Sequence, residues 1–167
     1  MITPTLQFIT DALNSFMQNR FALSETIVLL SPLNNADGTQ PPESENKVLV
    51  TLLNLEMNAN QALGNNLPGH HQLVPPANFE ITFIVSTRFP DYAKALKFCD
   101  AVASFFQANP VLDRSAFPSM PAEVDPLKVV FQSLSLQEMQ DLWRDLGVSY
   151  QPSMVYRVVG WRWLPVS

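Results

Sequence analysis

The stretch KVLVTLLNLEMN at 47–58 limits the possible folds more than any other part of the sequence. Successive apolar side chains at 48–50 would make both faces of a strand apolar, whereas the second half alternates and puts Leu55 and Met57 on one side. A strand of this kind is buried at its start and has one exposed face at its end. The chain therefore needs a sheet with helices packed against it.

Apolar spacing elsewhere predicts the other elements. Helical spacing predicts a helix at 4–19, a second helix that Asp91 caps, and a third between Ser135 and Gly147. Strand patterns occupy 26–32, 47–58, 78–87, 127–134 and the stretch after Pro152. This order predicts a single α+β domain over 1–167, with a mixed sheet of about four to five strands flanked by about three α-helices.

The composition indicates a protein that works within an assembly. Charged residues make up 15% of the chain, against about 25% in average soluble proteins. We therefore expect part of the surface to be covered by another protein rather than by solvent. The net charge of −5 and the absence of basic runs argue against nucleic acid as a partner. The sequence shows neither a basic leader nor an apolar run of membrane-spanning length, so we expect folding in the cytoplasm and no direct membrane insertion.

Only one place in the sequence suggests a metal or a general base, the pair His70 and His71 in GHHQ. Adjacent histidines on an extended chain point to opposite sides, and no acid or cysteine lies close by in sequence to complete a ligand set. Nucleotide-binding and nucleophile motifs are absent from the sequence. We therefore predict a protein without enzymatic activity, with no catalytic residues, no metal and no cofactor.

Two groups of aromatic residues are candidates for contact with another subunit. Phe98 and Phe105 fall off the main apolar stripe of the second helix, so they pack either under a neighbouring loop or against another subunit. Aromatic and arginine side chains in the last strand are either ordinary core or interface, where both residue types are enriched. The candidate interface residues are Phe98, Phe105, Arg157, Trp161, Arg162 and Trp163.

The stretch LSLQEMQDLWRDLGVSYQPSMVYRV at 134–158 carries the most specific pattern in the chain. Ser135 and Glu138 have the spacing of a capping box, and Gly147 suits the left-handed conformation at a helix end. The pattern resembles the signature of the cap, or tail-terminator, proteins of phage-tail-like extracellular contractile injection systems. The matching positions are Leu134, Ser135, Glu138, Leu142, Trp143, Leu146, Gly147, Tyr150, Pro152, Ser153 and Tyr156.

Further similarity to this family extends over about 47–158, in the strand that ends LNLEMN and in the strand and helix that follow. The resemblance implies a tail-terminator-like fold and a hexameric homo-oligomeric ring. It also implies that the ring binds the inner tube and the sheath at the distal end of the particle and sets their length. Many relatives continue into a further C-terminal region, whereas this sequence stops at Ser167.

Two other functions stay open at this point. One is a tail-completion or connector adaptor of a related phage-like particle. The other is a small hydrolase, for which His70 and His71 together with a carboxylate supplied by folding would form the only plausible centre.

Overall fold

The structure is a computed structural model that describes residues 2–58 and 77–163, with side chains for 2–57 and 78–159. Its helices in these ranges are α1 (Ile2–Phe21), α2 (Tyr92–Ala108) and α3 (Leu136–Leu146), with a short 3₁₀ turn at Pro42–Ser44. Its strands are β1 (Val28–Leu30), β2 (Lys47–Asn58), β3 (Ala77–Arg88), β4 (Val111–Leu112), β5 (Leu127–Phe131) and β6 (Ser153–Trp163). Within these ranges no helix is long and apolar enough to cross a membrane.

All six strands belong to one mixed sheet with the order β1-β2-β3-β6-β5-β4. Strand β1 runs parallel to β2, and every other neighbouring pair is antiparallel. The predicted α+β class, with three helices around a mixed sheet, is confirmed. The strand count is one higher than expected because the two-residue β4 lies in a stretch whose sequence is irregular.

The central strands bury side chains on both faces of the sheet. Phe83 of β3 lies in the larger core, which it shares with α1 and α2, and its neighbour Ile84 lies in a second core beneath α3. Both side chains are fully buried. In β2, Val48 and Val50 join the larger core and Leu49 joins the second, as the apolar run at 48–50 predicts. The sheet is therefore the middle layer between two layers of helix.

The structure corrects the suggestion that Phe98 and Phe105 form a surface contact, because their side chains are only 4% and 2% exposed. Helix α1 covers that flank of α2. The Phe105 ring lies 5.4 Å from that of Phe16, and the Phe98 ring lies 4.7 Å from that of Phe21. Both phenylalanines thus belong to the core of the subunit. Loop residues complete the cover, because the Phe89 ring stacks on that of Phe98 at 4.8 Å and the Phe117 ring lies 6.2 Å from that of Phe105. The interpretation that the two phenylalanines pack under a neighbouring loop is therefore right in part.

The same packing turns α2 away from its expected orientation. Tyr92 and Leu96, which the apolar spacing assigns to the buried stripe, are 64% and 42% exposed. The buried stripe contains Ala95, Val102 and Phe106, together with the two phenylalanines that α1 covers. Because α2 is apolar around much of its circumference, its partner α1 decides which face is buried.

Two irregularities interrupt the regular alternation of the long strands. The β2–β3 register shifts between Leu52 and Asn54, and the β3–β6 register shifts between Phe79 and Ile81. The second shift places Trp161 opposite Phe79 and Val158 opposite Ile81. The regular alternation of β6 residues between the two faces of the sheet therefore does not continue through this point.

Replacing Phe105 with alanine should lower the free energy of unfolding by about 3–5 kcal/mol, because it removes a fully buried ring from the contact between α1 and α2. Urea denaturation followed by circular dichroism measures the change. Leu136→Ala, at an α3 position that is 70% exposed, is the control and should lose less than about 1 kcal/mol. Equal losses in the two variants would contradict the burial of Phe105.

Candidate functional site

The stretch with the family-like signature folds as a helix, a turn and a strand. Ser135 caps α3 by accepting a hydrogen bond from the backbone N–H of Glu138 at 3.1 Å, the first half of the predicted capping box. The second half, in which the Glu138 carboxylate would accept a hydrogen bond from the Ser135 N–H, does not form among the described residues. Gly147 ends the helix with φ of +66°, and its N–H donates to the Arg144 carbonyl. Both ends of α3 thus lie where the sequence predicts them.

Trp143 attaches this helix to the sheet. It is 5% exposed and packs in the second core with Leu49, Ile84 and Val155. Its ring meets the Tyr150 ring edge-on at 5.5 Å. The turn after Gly147 is therefore held against the helix that precedes it, and this contact directs the chain into β6.

The start of β6 is tied to the end of β3. The Pro152 carbonyl accepts hydrogen bonds from the Thr87 N–H at 3.0 Å and from the Thr87 hydroxyl at 3.2 Å. Further along β6, Tyr156 is buried with its ring 4.3 Å from that of Phe106. Burial raises the pKa of the Tyr156 hydroxyl above its ordinary value. This tyrosine is a core residue of the signature, and it stays protonated near neutral pH.

The structure describes the side chain of only one of the four predicted interface residues in β6. Arg157 pairs with Glu80 of β3 at 3.3 Å, and its side chain is 39% exposed. Trp161, Arg162 and Trp163 belong to β6 by their backbone, and their side chains lie outside the described set. Their part in an interface stays a prediction.

The pair His70 and His71 lies outside the described residues. Among residues 2–58 and 77–163, no group of three or more His, Cys, Asp or Glu side chains could hold a metal ion. Cys99 is half-buried, and desolvation, with Asp100 beside it, raises the pKa of its thiol. A thiol of this kind is a weak nucleophile at neutral pH.

The far end of β2 carries an exposed apolar surface, which we call the outer sheet face, formed by Leu52, Leu55 and Met57. Leu52 lies opposite Phe83 and Leu55 opposite Ile81, so these side chains are on the same face of the sheet as the larger core. The helices do not reach this far, and the three side chains are 40%, 38% and 62% exposed. The sequence shows the apolar alternation here, but it does not show where the helical cover stops.

The opposite end of the same strands forms a groove of about 510 Å³. We call it the proline–tyrosine groove because four prolines and two tyrosines line it. These residues are Pro41, Pro42, Pro90, Tyr92, Tyr150 and Pro152. Tyr92 and Tyr150 are 64% and 55% exposed. Rigid rings and large exposed aromatic area are typical of protein-binding surfaces.

A buried arginine, Arg88, also lines this groove and is 8% exposed. Its guanidinium donates hydrogen bonds to the Ser44 hydroxyl and to the Leu33 carbonyl at 2.8 Å. No carboxylate lies within ion-pair distance among the described residues, and desolvation lowers the pKa of Arg88. Arg88 thus holds the loop between β1 and β2 against the end of β3. The sequence offers no signal that this arginine would be buried.

Three further cations each lie near an aromatic ring, and one of these rings, Phe89, lines the groove. Lys94 lies 5.2 Å from the centre of the Phe89 ring, and Lys97 lies 5.1 Å from that of the Phe21 ring. Arg20 lies 5.8 Å from the Phe16 ring. None of the three forms an ion pair within the described part of the chain. The rings hold these long side chains in place and leave their charges open to an acidic partner.

The sequence model of the Pvc16 N-terminal domain family matches residues 5–159, which is nearly the whole chain. The chain belongs to the Pvc16 N-terminal domain family. The match includes the entire helix, turn and strand signature and both strands of the long β2–β3 pair. No curated protein sequence matches the chain.

Two solved structures share the fold of this Pvc16 N-terminal domain protein. One is the sheath/tube terminator of the extracellular contractile injection system PVC in its extended state, with a TM-score of 0.54 and 17% identity. The other is the tube-terminating cap of the anti-feeding prophage, with a TM-score of 0.51 and 15% identity. The matches cover 93% and 95% of this chain but only 60% and 55% of those proteins. The chain therefore spans little more than half the length of the terminators that it matches.

Replacing Gly147 with alanine should destabilise this Pvc16 N-terminal domain protein by about 1–2 kcal/mol, because a side chain disfavours the left-handed conformation. An added Cβ would meet nothing within 4 Å, so the cost comes from the backbone alone. Gly147→Asn is the matched variant and should lose less, because asparagine tolerates this conformation better. Thermal unfolding of the two variants measures the difference. Equal stability of Gly147→Ala and the wild type would contradict the role of Gly147 as the helix stop.

Proposed function

We propose that this chain is a terminator, or cap, subunit of a contractile injection system. It forms a ring at the distal end of the particle, and the family resemblance implies that this ring is a hexamer. There it binds the last rings of inner tube and sheath and ends their polymerisation, so that the particle has a defined length. Residues 1–167 act as a single cap domain in this proposal.

The observation that carries the proposal is the family match over 5–159, joined to a fold that is also found in two terminators of contractile systems. One of those proteins is named a sheath and tube terminator and the other a tube-terminating cap. Both structures share less than 25% sequence identity with this chain, so they support its fold alone. The family match supports the step from this fold to the proposed function. The tube and sheath proteins are the proposed partners, and neither nucleic acid nor membrane insertion is part of the role.

The surface chemistry agrees with a role in binding other proteins. Large apolar side chains are exposed at both ends of the long strands, at the outer sheet face and in the proline–tyrosine groove. Apolar patches that are rimmed by polar residues mark protein-binding surfaces. A cap of this kind acts by its shape and contacts, without enzymatic chemistry. The chain is made in the bacterial cytoplasm and ends in the assembled particle.

Particles assembled without this chain should have inner tubes of widely scattered length, because nothing would stop tube growth at a defined point. Electron microscopy of particles from a deletion strain, compared with the same strain carrying the wild-type chain, measures the length distribution. Restored uniform length in the second strain supports the terminator.

The same images test the alternative function. Tubes of normal, uniform length that lack an attached element at one end would indicate a connector adaptor and would overturn the terminator proposal. A chain carrying Phe105→Ala, which retains its surface but has a weakened core, controls for protein level. It should restore length to the extent that it is folded in the cell.

A further inference from the structure

Three basic side chains gather where the end of α1 meets the start of α2, and we call them the basic cluster: Arg20, Lys94 and Lys97. Two of them share one ring, since the charged groups of Lys97 and Arg20 lie 5.1 Å and 6.0 Å from the centre of the Phe21 ring. Lys94 lies 5.2 Å from the centre of the Phe89 ring. The Phe98 ring links those two rings, at 4.7 Å from Phe21 and 4.8 Å from Phe89. The three cations are therefore arranged along one continuous row of rings.

Among the described residues, no carboxylate pairs with the basic cluster, although all three of its residues are exposed. Asp91 lines a hollow of about 440 Å³ beside the cluster, but its carboxylate accepts the Lys94 N–H as the cap of α2. Asp100 lies on the next turn of α2, and Glu25, which follows α1, pairs with Lys47. Three cations and the two aspartates leave a net charge of +1 here, in a chain whose net charge is −5. An excess of positive charge that aromatic rings hold in place suits an acidic surface as its partner.

Helix α3 carries an acidic stripe, which we define as Glu138, Asp141 and Asp145. At about 100° per residue these three lie within about 60° of one another, and each is about 140–160° around the helix from Trp143. Because Trp143 packs against the sheet, the stripe faces away from it, and Glu138 and Asp145 are exposed. Arg144 pairs with Asp141, whereas the other two carboxylates form no ion pair with a described residue. With Arg144 counted, the stripe has a net charge of −2.

The basic cluster and the acidic stripe lie on opposite faces of the sheet. Helices α1 and α2 pack in the larger core and α3 packs in the second core, so the sheet separates the two surfaces within one subunit. The stripe is about 10 Å long at 1.5 Å per residue. The row of three rings has steps of 4.7 Å and 4.8 Å, so the stripe is long enough to lie along it. A second copy of this chain therefore offers a surface that matches the basic cluster in charge and in length.

We propose that the basic cluster of one copy binds the acidic stripe of the next copy, head to tail. The contact is heterologous, because it joins two different patches, and repetition of a heterologous contact closes a ring when the rotation allows it. Exposed ion pairs are individually weak, so the charges determine mainly which surfaces meet and in which register. This inference rests on the proposed function for the existence of the ring. It adds which surfaces join neighbouring subunits.

Lys97→Glu and Asp145→Lys each reverse one charge in one of the two surfaces. Each variant alone places like charges against each other in every contact of the ring, so its assembly should weaken at least about tenfold. An equimolar mixture should assemble as the wild type does and contain the two variants in equal numbers. In an alternating ring, the reversed cluster of one variant faces the reversed stripe of the other, and the remaining contacts are those of the wild type. Native mass spectrometry and light scattering over a concentration series of residues 1–167 measure both effects.

Two control variants separate the interface from general effects of charge. Lys128→Glu and Asp125→Lys make the same two charge changes at exposed positions outside both surfaces. Neither residue forms an ion pair within the described part of the chain. Both controls should assemble as the wild type does, and their mixture should gain nothing. Thermal unfolding confirms that all four variants are folded.

Salt provides an independent measurement on the wild type. The screening length falls from about 10 Å at 0.1 M to about 3 Å at 1 M ionic strength. Assembly through opposite charges should therefore weaken as sodium chloride is raised over this range. Assembly that does not respond to salt would contradict the proposed contact.

Three further results would overturn the inference. The first is assembly of Lys97→Glu or Asp145→Lys at wild-type affinity, and the second is a mixture that assembles no better than its components. The third is a wild type that stays monomeric at every concentration. If Lys97→Glu then loses binding to purified inner tube, the basic cluster belongs to a contact with a tube subunit. Particle length enters none of these results, so a chain that still sets tube length would keep the proposed function even if this interface were wrong.

Discussion

The whole structure depends on burial of the central strands on both faces at once. Adjacent residues of β3, Phe83 and Ile84, are both fully buried although they point to opposite sides of the sheet. A strand with this pattern is stable only if each face has apolar cover, since each exposed large side chain would forfeit about 1.5–3 kcal/mol of burial. Helices α1 and α2 supply the cover on one side and α3 supplies it on the other. The order of elements along the chain follows from this requirement.

The second constraint is the tight specification of α3 and its exit. Ser135, Gly147 and Pro152 act on the backbone. Trp143 packs α3 against one face of the sheet, and Tyr156 of β6 packs into the larger core on the other face. The capping and stopping residues determine where the helix begins and ends, and the packing of Trp143 determines where it lies. The segment thereby sets the position at which β6 enters between β3 and β5.

Local signals in the sequence predict most of the elements, and contacts distant in sequence explain the errors. The Asp91 cap, the Ser135 cap and the Gly147 stop are local, and the bounds of α2 and α3 agree with them. The predicted start of the first helix at residue 4 is two residues late, because α1 begins at Ile2. Contacts between residues distant in sequence cannot be predicted from such local signals. The apolar spacing of α2 fits more than one buried face, and only the position of α1 selects the face with Phe98 and Phe105.

The same distinction applies to the candidate surfaces. Alternation in β2 shows that Leu55 and Met57 share a face, but their exposure depends on where α1 and α2 end in space. The groove is built from segments distant in sequence, with Pro41 and Pro42 before β2, Tyr92 at the start of α2 and Tyr150 after α3. Low charge indicates that an apolar surface exists, without indicating its place. Register and helix cover, which only the fold supplies, locate it.

The arrangement also bears on how a cap can end a polymer. The sheet carries a helical layer on each of its two faces, and these layers differ in charge. Helices α1 and α2 together carry three basic and two acidic residues, whereas α3 carries three acidic residues and one basic residue. A subunit with unlike faces can bind a neighbour through one face without presenting the same surface on the other, and a polymer stops growing when its last surface no longer matches its first.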